Sequence, residues 1–378
     1  MLSKFKFHAV GQGLFYTGQL RFRPYYYHRA GSFNFVYDCG SISGHKFLDD
    51  AIDQFRYEAG TTDLCVISHL HCDHYNGLYR LNKIGIRRII LPYLPNYRNL
   101  KLVYIVGQYF ESGTGEISES DIENVKLMLS LYEVIDRDGI ARETEIDRFG
   151  ADKRVAQEDG FQYFKLELKD LPDGETNYWN FEFYNKSISD EKWNAFNKNL
   201  EDFLKANHVD ELSAVLTKDN LLQIASIYFK VFGKNLNATS VIMKHYPERI
   251  SIGYSLQNDM FWDRFEDEIF SPWHYRDAMK GDNVSVLTGD AEFDTYLRSQ
   301  VLDNENVAVL QVPHHGAMEN WKELQLPQNF ECKLVIPYGL LNSYDHPAKD
   351  TVKAIFAMKY CSLIPVTQCA QYAYFIID

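Results

Sequence analysis

The feature that most constrains this chain is six residues long: His69-Leu70-His71-Cys72-Asp73-His74, directly after the apolar run Leu64-Cys65-Val66-Ile67-Ser68. A strand leaving its sheet puts side chains at i and i+2 on one side, so His69 and His71 can face one point. Beyond His71 the chain is expected to turn towards a helix, with Asn76-Gly77 allowing the bend, and Asp73 and His74 then aim at a second point nearby. Neutral imidazoles with a carboxylate are the ligand set of zinc or another first-row divalent ion. A single His at a strand end is ordinarily a helix cap. Three His and one Asp within six residues, following an apolar strand, point to metal instead.

The rest of the chain has to deliver that claw and complete it. Its 378 residues suggest one large domain carrying insertions, or two domains. Residues 1–99 alternate short apolar runs with turn signals (FKFHAVGQGLF, FNFVYDCGS, DLCVISHLH, RRIILPYL), the texture of a sheet. Over 100–235 it changes: SESDIENVKLMLSLYEVI, EKWNAFNKNLEDFLKANH and DELSAVL have helical spacing and acidic first turns, with strand-like FQYFKLEL and NYWNFEFYN between them. This span is expected to be an acidic mixed insertion or cap. Sheet texture returns over 236–378, in TSVIMKHY, VSVLTGD, VAVLQVPHH, KLVIPYG and YAYFIID. VGQGLFYTG near the start lacks the third glycine of a dinucleotide fingerprint and is expected to form a tight hairpin near the site.

Charge alone does not choose the substrate. The net charge of −13 argues against binding phosphate backbones, yet residues 101–235 hold 26 acidic and 16 basic side chains, a net of −10, leaving −3 for the remainder. Two bound divalent cations would bring that remainder to about neutral. Arg21, Arg23 and Arg29 around Tyr25-Tyr26-Tyr27, and Arg80, Lys83, Arg87, Arg88, Arg98 and Lys101 near the claw, mix cations with aromatic rings, as single-stranded nucleic-acid binders do. The same residues also cover ordinary exteriors. Six irregularly spaced cysteines without a CxxC pair are expected to be reduced thiols, and no stretch has the apolar length of a membrane span or signal peptide, so the expectation is a cytoplasmic protein.

The motif resembles the HxHxDH signature of the metallo-β-lactamase superfamily. Three further segments are similar to that family: Phe35-Val36-Tyr37-Asp38-Cys39-Gly40, Val286-Leu287-Thr288-Gly289-Asp290-Ala291 and Val312-Pro313-His314-His315-Gly316-Ala317. With Val10-Gly11-Gln12-Gly13 and Asn342-Ser343-Tyr344-Asp345-His346-Pro347, the set most resembles the hydrolase domain of ComEC-type DNA-uptake proteins, over about residues 5–95 and 236–378. The resemblance implies an α/β fold, a four-layer αββα sandwich of two mixed sheets with helices outside, here with a large acidic insertion. It implies that His69 and His71 hold one metal, that Asp73, His74 and His315 hold a second, and that Asp290 lies between the two. Asp38 would be a structural carboxylate beside the site. His314 and His346 would assist catalysis with Asp73, while Asn237, Ser240, Asn342 and Tyr344 would contact substrate. Neighbours in an extended chain face opposite ways, so one ligand and one satellite are expected of His314 and His315.

Many two-metal relatives carry another His before the strand that ends in Gly-Asp. Here Asn237-Ala238-Thr239-Ser240 stands in that place, and His245 inside the strand reads as half-buried or exposed. The first site would then be the weaker, with Zn or Mn as the metals. The expected function is phosphodiester hydrolysis in DNA or another nucleotide by a metal-activated water. Alternatives are a hydrolase of a small ester, cyclic nucleotide or lactone, and a non-catalytic module of a larger defence or uptake assembly that docks a protein through the acidic span. Oligomeric state is not legible.

Overall fold

In the computed structural model, Lys4-Phe5-Lys6-Phe7 shows the local rule of the fold. Both phenylalanines are buried between two sheets, while the lysines point the other way, Lys4 to Glu58 at 3.2 Å and Lys6 to Gln54 at 3.0 Å. Those partners stand on the helix His45–Ala59, which buries Leu48, Ala51, Ile52 and Phe55 at helical spacing and sets Phe55 edge-on to Phe15, centroids 6.2 Å apart. Each large apolar side chain so covered contributes about 1.5–3 kcal/mol. Residues 2–21, 32–69, 71–82, 85–92, 145–148, 156–158, 161–169, 177–186, 190–208, 240–248, 252–259, 277–279, 283–302 and 307–377 are described, with a few positions between 223 and 231.

Among the described residues there are two mixed sheets. The first runs, in spatial order, Asp277–Met279, Ile252–Asp259, Ala370–Ile377, Leu2–Phe7, Phe15–Arg21, Ser32–Cys39, Leu64–Val66, Arg88–Leu91 and Glu145–Arg148. The second runs Cys361–Val366, Cys332–Pro337, Val307–Gln311, Val284–Leu287, Ile242–Pro247, Asn177–Lys186, Phe161–Lys169 and Ala156–Glu158. Both contain a parallel block, Ser32–Cys39 through Glu145–Arg148 in the first and Val284–Leu287 through Cys361–Val366 in the second. One apolar cluster takes Phe5, Phe35, Tyr37 and Val66 from the first sheet and Trp179, Phe181, Met243 and Leu287 from the second, so the sheets pack face to face. A further cluster joins the other face of the second sheet to the helices Thr295–Val301, Met318–Leu324 and Lys349–Ala357.

The span read as an insertion contributes to these sheets. Phe161–Lys169 and Asn177–Lys186 pair beside Ile242–Pro247 and bring Trp179, Phe181 and Phe183 into the core between the sheets. EKWNAFNKNLEDFLKANH forms the helix Asp190–Ala206, whereas SESDIENVKLMLSLYEVI and DELSAVL lie outside the described residues. So do 22–31, Lys83, Arg98 and Lys101 of the cation-aromatic groups. Two of the remaining arginines are taken up by neighbouring carboxylates: Arg80 pairs with Asp49 and Asp53, and Arg87 with Asp63. None of the six cysteines forms a disulfide. No described helix is long and apolar enough to cross a membrane.

His245 departs from expectation. It alternates with Lys244 rather than with Met243, which places it fully buried on the face between the sheets, stacked on Phe5 at 5.1 Å with Nε2 2.8 Å from the Tyr16 hydroxyl. Burial pushes its pKa down to about 3, and burial with Lys6 and Lys4 pushes His8 well below its ordinary value. The unfolded chain protonates both as pH falls through about 6.5 and the folded protein does not. Stability should therefore fall below that pH by about 1.4 kcal/mol per unit for each group. Urea denaturation between about pH 6.5 and pH 4.5 checks this: His245→Phe should flatten the slope by about one group's share, and equal slopes would contradict it.

Candidate metal centre

The ends of the parallel strands build the site. Asp38 is near the end of Ser32–Cys39, His69 follows Leu64–Val66, Asp290 follows Val284–Leu287 and His315 follows Val307–Gln311. Ligands commonly gather at the carboxyl ends of strands in open α/β sheets, where loops leave the sheet together. The short helix Cys72–Tyr75 then carries Asp73 and His74. Asp290 can approach because Gly289 takes φ 55°, and a Cβ there would lie 2.6 Å from Ser68 Cβ and Oγ. Gln311 fixes this turn, its Oε1 accepting from the backbone N–H groups of Thr288 and Gly289 at 2.9 and 3.0 Å.

Three imidazoles are each gripped by one nitrogen. His315 Nδ1 donates to the Pro337 carbonyl at 2.8 Å, and His74 Nδ1 donates to Asp38 Oδ2 at 2.7 Å. Ser68 Oγ gives its proton to Asp38 Oδ2 at 2.6 Å, so it accepts from His69 Nδ1 at 2.9 Å. With Nδ1 protonated, each neutral ring presents an Nε2 lone pair. Those atoms converge on two carboxylates: His69 Nε2 is 3.5 Å from Asp290 Oδ2, His74 Nε2 is 3.3 Å from Asp290 Oδ1, and His315 Nε2 is 3.2 Å from Asp73 Oδ2.

A buried knot of acceptors needs positive charge. His69 Nε2, His74 Nε2 and Asp290 Oδ1 are buried without a hydrogen-bond partner, and the donor atoms of His69–His74–Asp290 and of Asp73–His74–His315 each lie within 4.8 Å of one another. Oxygen and imidazole donors at that spacing fit divalent cations, and the Nδ1 partners are the outer contacts that orient such ligands. Without a metal, protons fill the role. Burial opposes a charge on His74, but Asp290, Asp73 and Asp38 outweigh it and raise its pKa well above the ordinary value. Burial likewise opposes a charge on His315, and its contacts with Asp73 and Asp290 raise it. His69 is pushed down to about 3 by burial and by His74. Burial would raise both carboxyls, yet the nearby histidines hold Asp73 and Asp290 below the usual carboxylate range.

The remaining expected residues fall in different places. His71 is buried with its ring 4.5 Å from that of His69, but it joins neither group of converging atoms, and His74 belongs to both. His314 and His315 sit in a tight turn with φ 49° and 50° rather than in extended chain. The turn sends His315 inward and leaves His314 about one-third exposed at the rim, with Nε2 3.8 Å from Asp290. His346 faces both, with ring centroids 5.1 Å from His314 and 6.2 Å from His315, and burial with those two rings lowers its pKa to about 4. Tyr344 is half-exposed, 6.0 Å from the His346 ring. The Asn342 side chain holds its own loop, bonding Gly339, Tyr344 and His346 backbone atoms. Ser240 is buried, its Oγ without a hydrogen-bond partner, and the next residue's N–H bonds Ser68 O at 2.8 Å. Asn237 lies outside the described residues.

Two contributors escaped the sequence reading. Ser68, adjacent to the motif, offered only its position as a signal. Asn320 donates to the Ala291 carbonyl at 3.2 Å and so presents Oδ1 to His314 Nδ1 at 3.1 Å. Nothing in the local sequence singles it out.

No family model matches this chain. No curated protein matches it either. Among solved structures, it is similar to MEM-A1, a subclass B3 metallo-β-lactamase from a soil metagenome library, at 15% identity over 49% of this chain, with a TM-score of 0.18. The chain spans 58% of that protein's length.

Proposed function

We propose that this chain is a metal-dependent hydrolase of the metallo-β-lactamase superfamily, a four-layer sandwich with a ComEC-type site, and that it cleaves phosphodiesters in DNA or another nucleotide. The observation that carries the reading is the convergence of His69, His74 and His315 Nε2 on Asp73 and Asp290 with three of the facing atoms unpartnered. Two divalent cations, Zn or Mn, would be held by these five with His71 at the edge. Bound there, such cations supply Lewis acidity and acidify water.

The protein's own groups do the rest. Asp73 and Asp290 keep the site anionic and orient the nucleophile, while the Nδ1 contacts of His69, His74 and His315 prevent their rings from turning. With Nδ1–H held by Asn320 Oδ1, His314 serves as the acid in its imidazolium form: the second proton, on Nε2 at the side of Asp290, passes to the departing oxygen and leaves the ring neutral. His346 stands beside it as the neutral partner that excludes water from one side. The segments Gly289-Asp290, His314-His315 and Asn342 to Pro347, which resemble the ComEC-type pattern, support the phosphodiester over other esters.

Metal analysis of the purified protein, with turnover of bis(p-nitrophenyl) phosphate and linear DNA before and after chelation, tests this. Turnover should vanish with chelator and return with Zn or Mn. A metal-loaded protein inert on phosphodiesters, or one hydrolysing only lactones or thioesters, would overturn the substrate. His314→Ala should lower kcat by about 10²–10⁴-fold at unchanged metal content, the range for loss of a general acid.

A further inference from the structure

The glycine-flanked turn at Gln12 touches both loops of the site. Gln12 is buried; its N–H donates to Ser43 Oγ at 2.7 Å, its carbonyl accepts from Ile42 N at 2.8 Å, and its side-chain Oε1 accepts from Gly339 N at 3.2 Å. Two residues on, Leu14 N donates to the Asp73 carbonyl at 3.1 Å. From Gly339 the path continues through Asn342, whose Nδ2 donates to the carbonyls of Gly339 at 2.7 Å and His346 at 2.6 Å. Its Oδ1 accepts from His346 N at 3.1 Å. The backbones of Asp73 and His346 are thus joined through hydrogen bonds and two short stretches of backbone, with Gln12 at the middle.

We propose that Gln12 is a positioning residue that latches the 339–347 loop, and with it the His346 ring, against His314 and His315. The inference rests on the hydrolase reading and adds a residue to it. The tip of the loop has no apolar anchor, with Leu341 95% exposed and Leu340 51%, so polar contacts hold its start: Gly339 N with Gln12 and Leu340 N with Gln368 Oε1 at 3.1 Å. Gly339 is shaped to the latch, since a Cβ there would lie 3.0 Å from Gln12 N and Cβ and 2.7 Å from Ser43 Oγ. Removing the Gln12 oxygen leaves the buried Gly339 N–H without an acceptor, and the loop must lift for water to reach it.

Gln12→Met keeps the length and removes the acceptor. In the full chain, amide exchange over 339–347 should accelerate by about tenfold. Metal content should stay as in the wild type, and kcat on bis(p-nitrophenyl) phosphate should fall by about 10–100-fold, more than KM changes. Gln12→Glu retains an acceptor and should restore most of kcat. Gly339→Ala, which strains the same contact from the other side, should reproduce the exchange change without adding to that of Gln12→Met. Unchanged exchange, loss of metal with Gln12→Met, or additive effects in the double variant would overturn the proposal. A wild-type protein inert on phosphodiesters would overturn the phosphodiester substrate alone, and exchange with metal content would then decide whether Gln12 latches the loop.

Discussion

Alanine in place of Asp290 should leave a protein that binds at most one metal and hydrolyses phosphodiesters at least about 10²–10³-fold more slowly, the loss typical of one electrostatic stabiliser. Asp290 offers one oxygen to His69 and the other to His74, the imidazole that belongs to both donor groups. Among the described residues no neighbour replaces it: Asp73 faces His315 from the other side, and the Asp38 oxygens are spent on Ser68 and His74. The metal-dependent gain in stability should shrink as well. A ligand at about 1,000 times its Kd adds about 4 kcal/mol to the folded state, and a variant that binds no metal forgoes it. Thermal unfolding with and without zinc, beside metal analysis, reads both effects. Wild-type stoichiometry in the variant would remove Asp290 from the site.

The second large effect is expected at Asp38, which is fully buried behind Ser68 and His74. Its Oδ1 accepts from Ser68 N at 2.6 Å, and its Oδ2 accepts from Ser68 Oγ at 2.6 Å and His74 Nδ1 at 2.7 Å. The residue is fully buried with φ 56°, a backbone state that Asn tolerates better than Ala. Asp38→Asn therefore keeps the shape and replaces one acceptor by a donor that faces either His74 or Ser68. Metal affinity should fall by about 10–100-fold, as on loss of an outer partner of a metal-binding His. Denaturation in chelator should show a loss of about 3–5 kcal/mol, the cost of breaking a buried charged pair. A variant with wild-type affinity and stability would contradict the role assigned to Asp38.

The legible parts of the molecule are those where chemistry is local. Phe5 and Phe7 against Lys4 and Lys6 declare a strand with two unlike faces, and the run from His69 to His74 declares its donors within two turns of chain. Asp290 and His315 were legible for a related reason: each stands in a short glycine-bearing segment after an apolar strand, where a loop must leave a sheet. What was not legible depends on distant parts of the chain. FQYFKLEL reads as a strand, but nothing in it says that it pairs with NYWNFEFYN beside Ile242–Pro247 rather than in a separate cap. His245 looks polar in sequence and turns inward because Tyr16, on another strand, meets its Nε2. The bonds of the Asn342 carboxamide to the backbone of its own loop depend on how residues 339–346 fold back on one another. His71 belongs to the same motif as His69 and its ring lies 4.5 Å from that of His69, while the two groups of converging donor atoms are made by its neighbours.

Crystals grown with zinc or manganese and measured on both sides of the metal's absorption edge test the central claim most directly. An anomalous peak is expected bounded by His74, His315 and Asp73, with a second beside His69 and Asp290 in reach of both. A map with no peak there, or with Asp290 and His315 turned away from the histidines of the motif, would contradict it.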